Sequence, residues 1–396
     1  MTKKLRIALI MQGGRGWMGG TEYIKNIILA LGNLPSDVRL TFELYLICSK
    51  SIDKNILNQV DLYLNNIYYE EVDLEPLTLI NRTRWKIIEI LLKQQNPRLE
   101  AFLKKENIDF VYPYLSKNTA QKPYRAATWI PDFQHKHLPH FFTKEEIDKR
   151  DREFSFTANH ASTVVLSSKD SESDFRKLFP EAADKTEVIS FKTSPISEWY
   201  DGSPEHIQQE YYLPDRFFLV SNQFWQHKNH LVVFKALKLL QEKSIYPIVV
   251  CTGHIHDKRQ PDYSDTILQT IHKFNISKQV YLLGLIPKFH QVQLMRRSLA
   301  VIQPSLFEGW STLVEDARCL GKRMILSDLP VNIEQNPPNS TFFERNSPEH
   351  LASLLANWWE HLSPGPDIEQ EAITKTNNFM EVQEFGYRFL EIAKTV

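Results

Sequence analysis

Short, almost wholly apolar runs alternate with longer amphipathic stretches along most of the chain. LRIALIM (5–11), LTFELYLICS (40–49), IDFVYPY (108–114), AATWIPD (126–132) and VVLSS (164–168) are too short for buried helices and read as buried strands. Between them the apolar spacing predicts helices over 21–34, over 83–107 with a break near Pro97, over 145–162 and over 169–179. The pattern lapses at 191–214, FKTSPISEWYDGSPEHIQQEYYLP, a polar stretch with three prolines that reads as a linker. A second alternation follows. Strands are expected over 216–224, 246–254, 279–286, 299–305 and 322–330, and helices over 228–243, 263–275, 290–298, from Ser311 or Thr312 to Gly321, and over 379–396.

Short strands separated by helices imply parallel sheets covered on both faces. The fold class expected is α/β, with two doubly wound, Rossmann-like parallel-sheet domains facing across a cleft. Their boundaries are 1–190 for the first domain, 191–214 for the linker and 215–375 for the second. A helix over 376–396 is expected to cross back to the first. In such folds ligands bind outside the carboxyl ends of the strands.

Composition narrows the partners. In 396 residues the charged fraction is 24% and the formal net charge is -1, which gives no global attraction to nucleic acid. Three cysteines, Cys48, Cys251 and Cys319, are far apart and suggest a reducing compartment without a disulfide framework. The apolar run at the amino end stops in a glycine loop and reads as a first strand rather than a signal peptide. No segment reaches the roughly 20 apolar residues of a membrane span. A cytoplasmic protein is expected. Trp85, Ile87, Ile88, Ile90, Leu91 and Leu92, set among lysines, leave open a peripheral contact with the inner face of a membrane, against the simpler reading of a core-packed helix. Oligomeric state is not legible.

Three loops lie at the carboxyl ends of expected strands. In QGGRGWMGGTEY (12–23) five glycines let the backbone turn sharply and approach a ligand, and Thr21 is expected to open a helix whose free amides favour an anion. In SNQFWQHKNH (221–230) Lys228 stands near a helix start, where a cation is unfavourable unless an anion joins it. In PSLFEGWSTLVEDARCLG (304–321) Glu308 lies in the loop, and Glu315 and Asp316 occupy the first turn of the following helix. On helical spacing Leu313, Ala317, Leu320 and Gly321 share a face. Asp316 borders that face, whereas Glu315 points nearly opposite, towards solvent. Glu308 and Asp316 are therefore the expected pair, and carboxylates beside cationic phosphate sites suit sugar and ribose hydroxyls.

These residues resemble family 4 of the retaining nucleotide-sugar glycosyltransferases, which have the GT-B fold. The family's carboxylate pair, in the setting P-S-x-x-E-G-(F/W)…E-A…G-x-P, reads here PSLFEGWSTLVEDARCLGKR. GGTE (19–22) looks like its glycine loop, and SNQFWQHKNH, VVCTGH and VYLLGLIP look like its next strand ends. The match covers most of the second domain and about the first thirty residues. Asp316 is one methylene shorter than the usual Glu. Gln223 replaces an Arg, which places more of the diphosphate charge on Lys228, and Arg323 replaces a proline.

The resemblance implies that Glu308 binds donor-sugar hydroxyls and Asp316 the ribose. Lys228, the amide of Gly20 beside Gly19, and amides around Ser311 and Thr312 would hold the diphosphate, with Gln223, Gly309 and Trp310 in the same setting and Ile286 near the base. No metal or other cofactor is required. The partners implied are a nucleotide-sugar donor and a glycan or lipid-linked acceptor, in surface polysaccharide or glycolipid synthesis. On the acceptor side, in WIPDFQHKHLPHFF (129–142), Asp132 and His135 are candidates to position or deprotonate a hydroxyl, with Arg15 and Trp17 as further candidates. His135, His137 and His140 match no standard zinc spacing. The competing readings are a nucleotide-sugar epimerase on the same fold and a degenerate transferase that binds without turnover. GGRGWMGG lacks the G-x-G-x-x-G register of dinucleotide oxidoreductases.

Overall fold

The computed structural model describes residues 3–14, 17–75, 81, 86, 96–115, 122–257 and 259–396. The chain divides into two compact units. Unit one comprises Met1–Asp132, Asp148–Ser194 and Phe379–Val396, and unit two comprises Phe133–Ile147 and Pro195–Asn378.

In unit one, β1 (Leu5–Ile10), β2 (Phe42–Cys48), β3 (Asn66–Tyr69), β4 (Phe110–Tyr112) and β5 (Arg125–Ala126) form a sheet in the order β3-β2-β1-β4-β5. Every described pairing is parallel, with Ile7 opposite both Leu44 and Phe110. A second parallel sheet holds β6 (Thr128–Ile130), β7 (Val164–Leu166) and β8 (Thr186–Val188). Ala8, Tyr45, Ile47 and Val111 pack into one core with Leu99, Phe102 and Leu103 of the helix Pro97–Lys105. Helix Met18–Gly32 is buried at every position from Tyr23 to Leu31, so it is covered on all sides rather than along one face. Phe389, from the last helix, Ile368–Thr395, lies edge-on to Phe110 and Tyr112 with ring centroids 6.2 and 5.1 Å away.

Unit two has one six-stranded parallel sheet: β9 (Phe218–Ser221), β10 (Val249–Thr252), β11 (Val280–Gly284), β12 (Val301–Gln303), β13 (Met324–Ser327) and β14 (Ser340–Phe343), in the order β11-β10-β9-β12-β13-β14. Alternate residues face opposite ways, as the pleat requires. Phe218, Val220, Val249, Cys251, Ile302 and Ile325 pack against helices His230–Gln241, Tyr263–Lys273 and Pro348–His361. Leu219, Val250, Val301, Met324 and Leu326 pack against Lys288–Arg297 and Thr312–Cys319. Both faces are covered, which is why the strands are apolar without alternation in the sequence.

The fold class is thus α/β with two doubly wound parallel-sheet units. Several boundaries differ from the sequence expectation. The stretch 191–214, expected as a linker, carries the helices Glu198–Asp201 and Pro204–Glu210, whose Trp199 and Ile207 enter the core of unit two. Its prolines misled, because Pro204 occupies the first turn of a helix, where a missing N–H costs nothing. The last helix begins at Ile368 rather than 379. β3, β8 and β14 were not expected, and each is an edge strand with at most one fully buried residue and no continuous apolar run. Among the described residues no helix is long and apolar enough to cross a membrane. Trp85, Ile87, Ile88, Ile90, Leu91 and Leu92 lie outside the described residues.

Candidate functional site

In unit two the chain leaves β9 towards β10 on one side and returns through β12 on the other, so the carboxyl ends of β9 and β12 flank the point where the winding reverses. The loop after β9 passes through a short 3-10 turn, Gln226–Lys228, before helix His230–Gln241 starts. Lys228 is therefore in that turn, not in the helix expected over 228–243. Asn229 joins the two with a left-handed backbone, φ 55°, and its side chain donates to the Arg345 carbonyl at 3.1 Å. Beside the loop, Gly253 after β10 has φ +132°, and a Cβ there would stand 2.2 Å from the Asn222 carbonyl oxygen. Only glycine lets the two strand ends meet this closely.

Lys228 Nζ donates to Glu308 Oε1 at 2.6 Å. The same oxygen accepts from Gln303 Nε2 at 2.7 Å and from Ser305 Oγ at 2.6 Å. Gln303, at the end of β12, is fully buried, and its Oε1 accepts from Asn222 Nδ2 at 2.7 Å. The Glu308 side chain is 9% exposed and that of Lys228 15%. His227 and His230 flank the lysine, yet burial, reinforced by the Lys228 charge, holds both imidazoles well below their usual titration range, His230 at about 3. Within QHKNH the lysine is the cation, and the histidines are neutral at physiological pH.

The helix Thr312–Cys319 is capped by Ser311, whose Oγ accepts from the Val314 amide. The Ser311 amide donates to Gln335 Oε1 at 3.3 Å. Asp316 is buried and ion-paired with Lys288, the first residue of helix Lys288–Arg297. Glu315 does not face solvent as the helical spacing suggested. It is fully buried, with Oε1 accepting from Gln335 Nε2 at 3.0 Å and Oε2 lying 3.7 Å from Arg318 Nε. The reason is the helix Pro330–Gln335, unrecognised in the sequence, which brings Gln335 against the side opposite the core. Glu315 is tied to Gln335 and Arg318, and Asp316 to Lys288.

The remaining unit-two candidates lie nearby in the chain. Gln223 is half-buried two residues after the end of β9, and Gly309 and Trp310 are half-buried between Glu308 and the cap. Ile286 packs on the core cluster that contains Leu219 and Val250. His135 is buried and sits edge-on to Phe142 at 6.4 Å.

In unit one the glycine loop after β1 folds onto itself. Helix Met18–Gly32 already contains Gly19, Gly20 and Thr21, so Thr21 does not open it. The Thr21 hydroxyl instead closes the loop, donating to the Gln12 carbonyl and accepting from the Gly14 amide, both at 3.0 Å. Gly13 has φ +80°, and a Cβ there would lie 2.3 Å from the Trp17 carbonyl oxygen. Part of the glycine requirement is thus internal. The Trp17 ring stacks on Trp129 at 5.5 Å, Trp129 stacks on Tyr23 at 4.0 Å, and Trp17 stays 37% exposed. Asp132 faces Arg150 at 3.5 Å. Arg15 lies outside the described residues.

The segment that carries these strand ends is similar to known proteins. Residues 204–372 match the family model for glycosyl transferases of group 1. Among curated proteins no sequence matches the chain. The fold is similar to that of a glycosyltransferase from Rickettsia africae ESF-5, with TM-score 0.65, 15% identity, and 99% of this chain and 98% of that one covered. It is also similar to Anabaena HepE in complex with UDP and glucose, with TM-score 0.63, 14% identity, and 99% and 100% covered. The sucrose-phosphate synthase of Thermosynechococcus elongatus gives TM-score 0.65, 13% identity, and 99% and 98% covered. The two Rossmann-like units are those of the GT-B fold.

Sequence reading missed Asn222, Gln303, Ser305, Lys288 and Gln335. All but Lys288 are neutral, and of these only Ser305, the serine of the P-S-x-x-E-G setting, carried a spacing signal. Lys288 had one, standing directly after a strand and turn at a helix start, the same context that singled out Lys228.

Proposed function

We propose that this chain is a retaining glycosyltransferase that moves a hexose-type sugar from a nucleoside-diphosphate sugar to a hydroxyl of a glycan or lipid-linked acceptor. One observation carries the reading: Lys228 and Glu308 meet at 2.6 Å at the reversal point of the unit-two sheet, within the segment that matches the group 1 glycosyl transferases. A lysine that can turn to phosphate beside a carboxylate that can accept sugar hydroxyls is what a sugar diphosphate requires.

In the proposed reaction the bond from the sugar C1 to the diphosphate oxygen breaks and a bond from C1 to the acceptor oxygen forms on the same face. The acceptor proton passes to the departing diphosphate. Lys228 and the amino end of helix Thr312–Cys319 stabilise the charge that develops there, without a metal. Glu308 holds sugar hydroxyls and Asp316 the ribose. Asp132, His135, Trp17 and Arg15 serve the acceptor. The solved complex of HepE with UDP and glucose makes UDP-glucose the first donor to try. The acceptor belongs to surface polysaccharide or glycolipid synthesis.

A second reading, binding without turnover, is favoured by the ion pair that Lys288 makes with the shortened carboxylate Asp316. Thermal unfolding with UDP, GDP, ADP, CDP and dTDP, followed by donor hydrolysis, separates the two. A ligand at a hundred times its Kd adds about 2.7 kcal/mol. One diphosphate is expected to stabilise the protein strongly, Asp316→Ala to lose that effect, and the matching sugar nucleotide to be hydrolysed. Binding without hydrolysis or transfer would support the second reading, and no stabilisation by any diphosphate would sink both.

A further inference from the structure

Three donors converge on a single oxygen of Glu308, and they differ in what an incoming substrate would do to them. Lys228 approaches Oε1 at 2.6 Å, Gln303 at 2.7 Å and Ser305 at 2.6 Å. Among the described residues all three of these bonds fall on Oε1 and none on Oε2. An ammonium beside a diphosphate is drawn to the larger charge, so Lys228 is a poor permanent support for the carboxylate. Gln303 and Ser305 are neutral, and neither is drawn away. Gln303 is fully buried, and Asn222 Nδ2 at 2.7 Å binds its oxygen, which turns its NH2 towards Glu308 and towards Ser311 Oγ at 3.0 Å. Ser305 is buried as well, and its carbonyl accepts from Ser327 Oγ at 2.7 Å.

We infer that Gln303, oriented by Asn222, is the positioning residue that keeps Glu308 aimed at the donor sugar when Lys228 turns to the diphosphate. This rests on the sugar-binding role of Glu308 proposed above. A neutral amide suits the task, because it fixes the carboxylate without cancelling the charge that sugar hydroxyls need. Gln303 touches no substrate in this scheme and acts through Glu308. The amide chain from β9 to β12 makes the direction of Glu308 depend on the register of two central strands rather than on the loop that carries it.

The first test needs no donor. In a double-mutant cycle of Gln303→Leu and Glu308→Gln, read by urea unfolding, the effects are expected to be non-additive by about tenfold in the unfolding constant. Additivity within about twofold would overturn the inference. The second test uses UDP-glucose, UDP-N-acetylglucosamine and GDP-mannose, with UDP and GDP alone as controls. For a donor that the wild type hydrolyses, Gln303→Leu should lower kcat/KM by about ten- to hundredfold, while affinity for the bare diphosphate changes less than about twofold. Gln303→Glu sets a second carboxyl against Glu308, so its activity should be lower still at neutral pH and recover as the pH falls. A Gln303→Leu protein with wild-type kcat/KM, or one that loses diphosphate and sugar-nucleotide binding equally, would overturn the inference with the transferase reading intact. Hydrolysis of no donor by the wild type counts against that reading instead, and the unfolding cycle then decides the inference alone.

Discussion

Lys288 donates to Asp316 across two helices of unit two, and the partners differ in exposure: the aspartate side chain is 4% exposed and the lysine 33%. The lysine is the lid of the pair and the carboxylate its floor. Removing the lysine takes a cation away from a buried charge, whereas neutralising both removes the charge as well. Lys288→Ala is therefore expected to lose about 1–3 kcal/mol in urea unfolding, and Lys288→Ala with Asp316→Asn to recover most of it. If the single and double variants are equally unstable, the pair does not carry the loss.

Glu308 and Lys228 should separate in their effects. Glu308→Gln keeps the shape and the phosphate cation, so diphosphate binding should persist while donor turnover falls by about 10²–10³-fold. Lys228→Met should lose affinity for the bare diphosphate as well. Calorimetric titration of the diphosphate beside a hydrolysis assay distinguishes the two patterns.

Gly253 is a backbone requirement with a chemical consequence. Its φ of +132° and a would-be Cβ contact of 2.2 Å with the Asn222 carbonyl oxygen leave no room for alanine. Gly253→Ala should cost more than about 1 kcal/mol through backbone strain alone. Because it displaces Asn222, stabilisation by a bound diphosphate sugar should shrink too, and thermal unfolding with and without the ligand reads both effects.

Lys322 gives a pH dependence. Burial pulls its amine down to about 7, against the favourable charge of Glu371, while its Nζ donates to the carbonyls of Arg296 and Ser298. Above that value the folded protein has released a proton that the unfolded chain keeps to about pH 10.4. The unfolded state then binds more protons, so this group makes stability rise with pH through that window by about 1.4 kcal/mol per unit. Below the folded value both states are protonated and the contribution is flat. Lys322→Met should abolish the rise, which urea unfolding near neutrality and near about pH 9 will show.

The central strands were legible because parallel strands buried on both faces are continuous apolar runs: Phe218–Ser221 and Val249–Thr252 are buried at every position. The edge strands Asn66–Tyr69, Thr186–Val188 and Ser340–Phe343 are only partly covered and lack that signature. At the site, Lys228, Glu308 and Asp316 stood out by spacing, whereas Lys288, the ion-pair partner of Asp316, was missed. What failed was the direction of Glu315. A helical wheel knows one core, and Thr312–Cys319 meets a second partner in Gln335. Gln303 was invisible for a different reason. A glutamine closing an apolar strand reads as the strand's polar end until its amide is seen between Asn222 and Glu308.

Phe389 leaning on Phe110 and Tyr112 has a consequence for the newborn chain. Unit one takes in Met1–Asp132 and Asp148–Ser194 and is completed, beyond Pro195–Asn378 of unit two, by Phe379–Val396. A ribosome must lay down Pro195–Asn378 in between, about 10–40 s of translation, before the aromatic pair on β4 receives its cover. The unit that starts second can finish first. The unit that starts first waits with Phe110 and Tyr112 of β4 uncovered by Phe389, and for that interval it is the part of the nascent protein most in need of a chaperone.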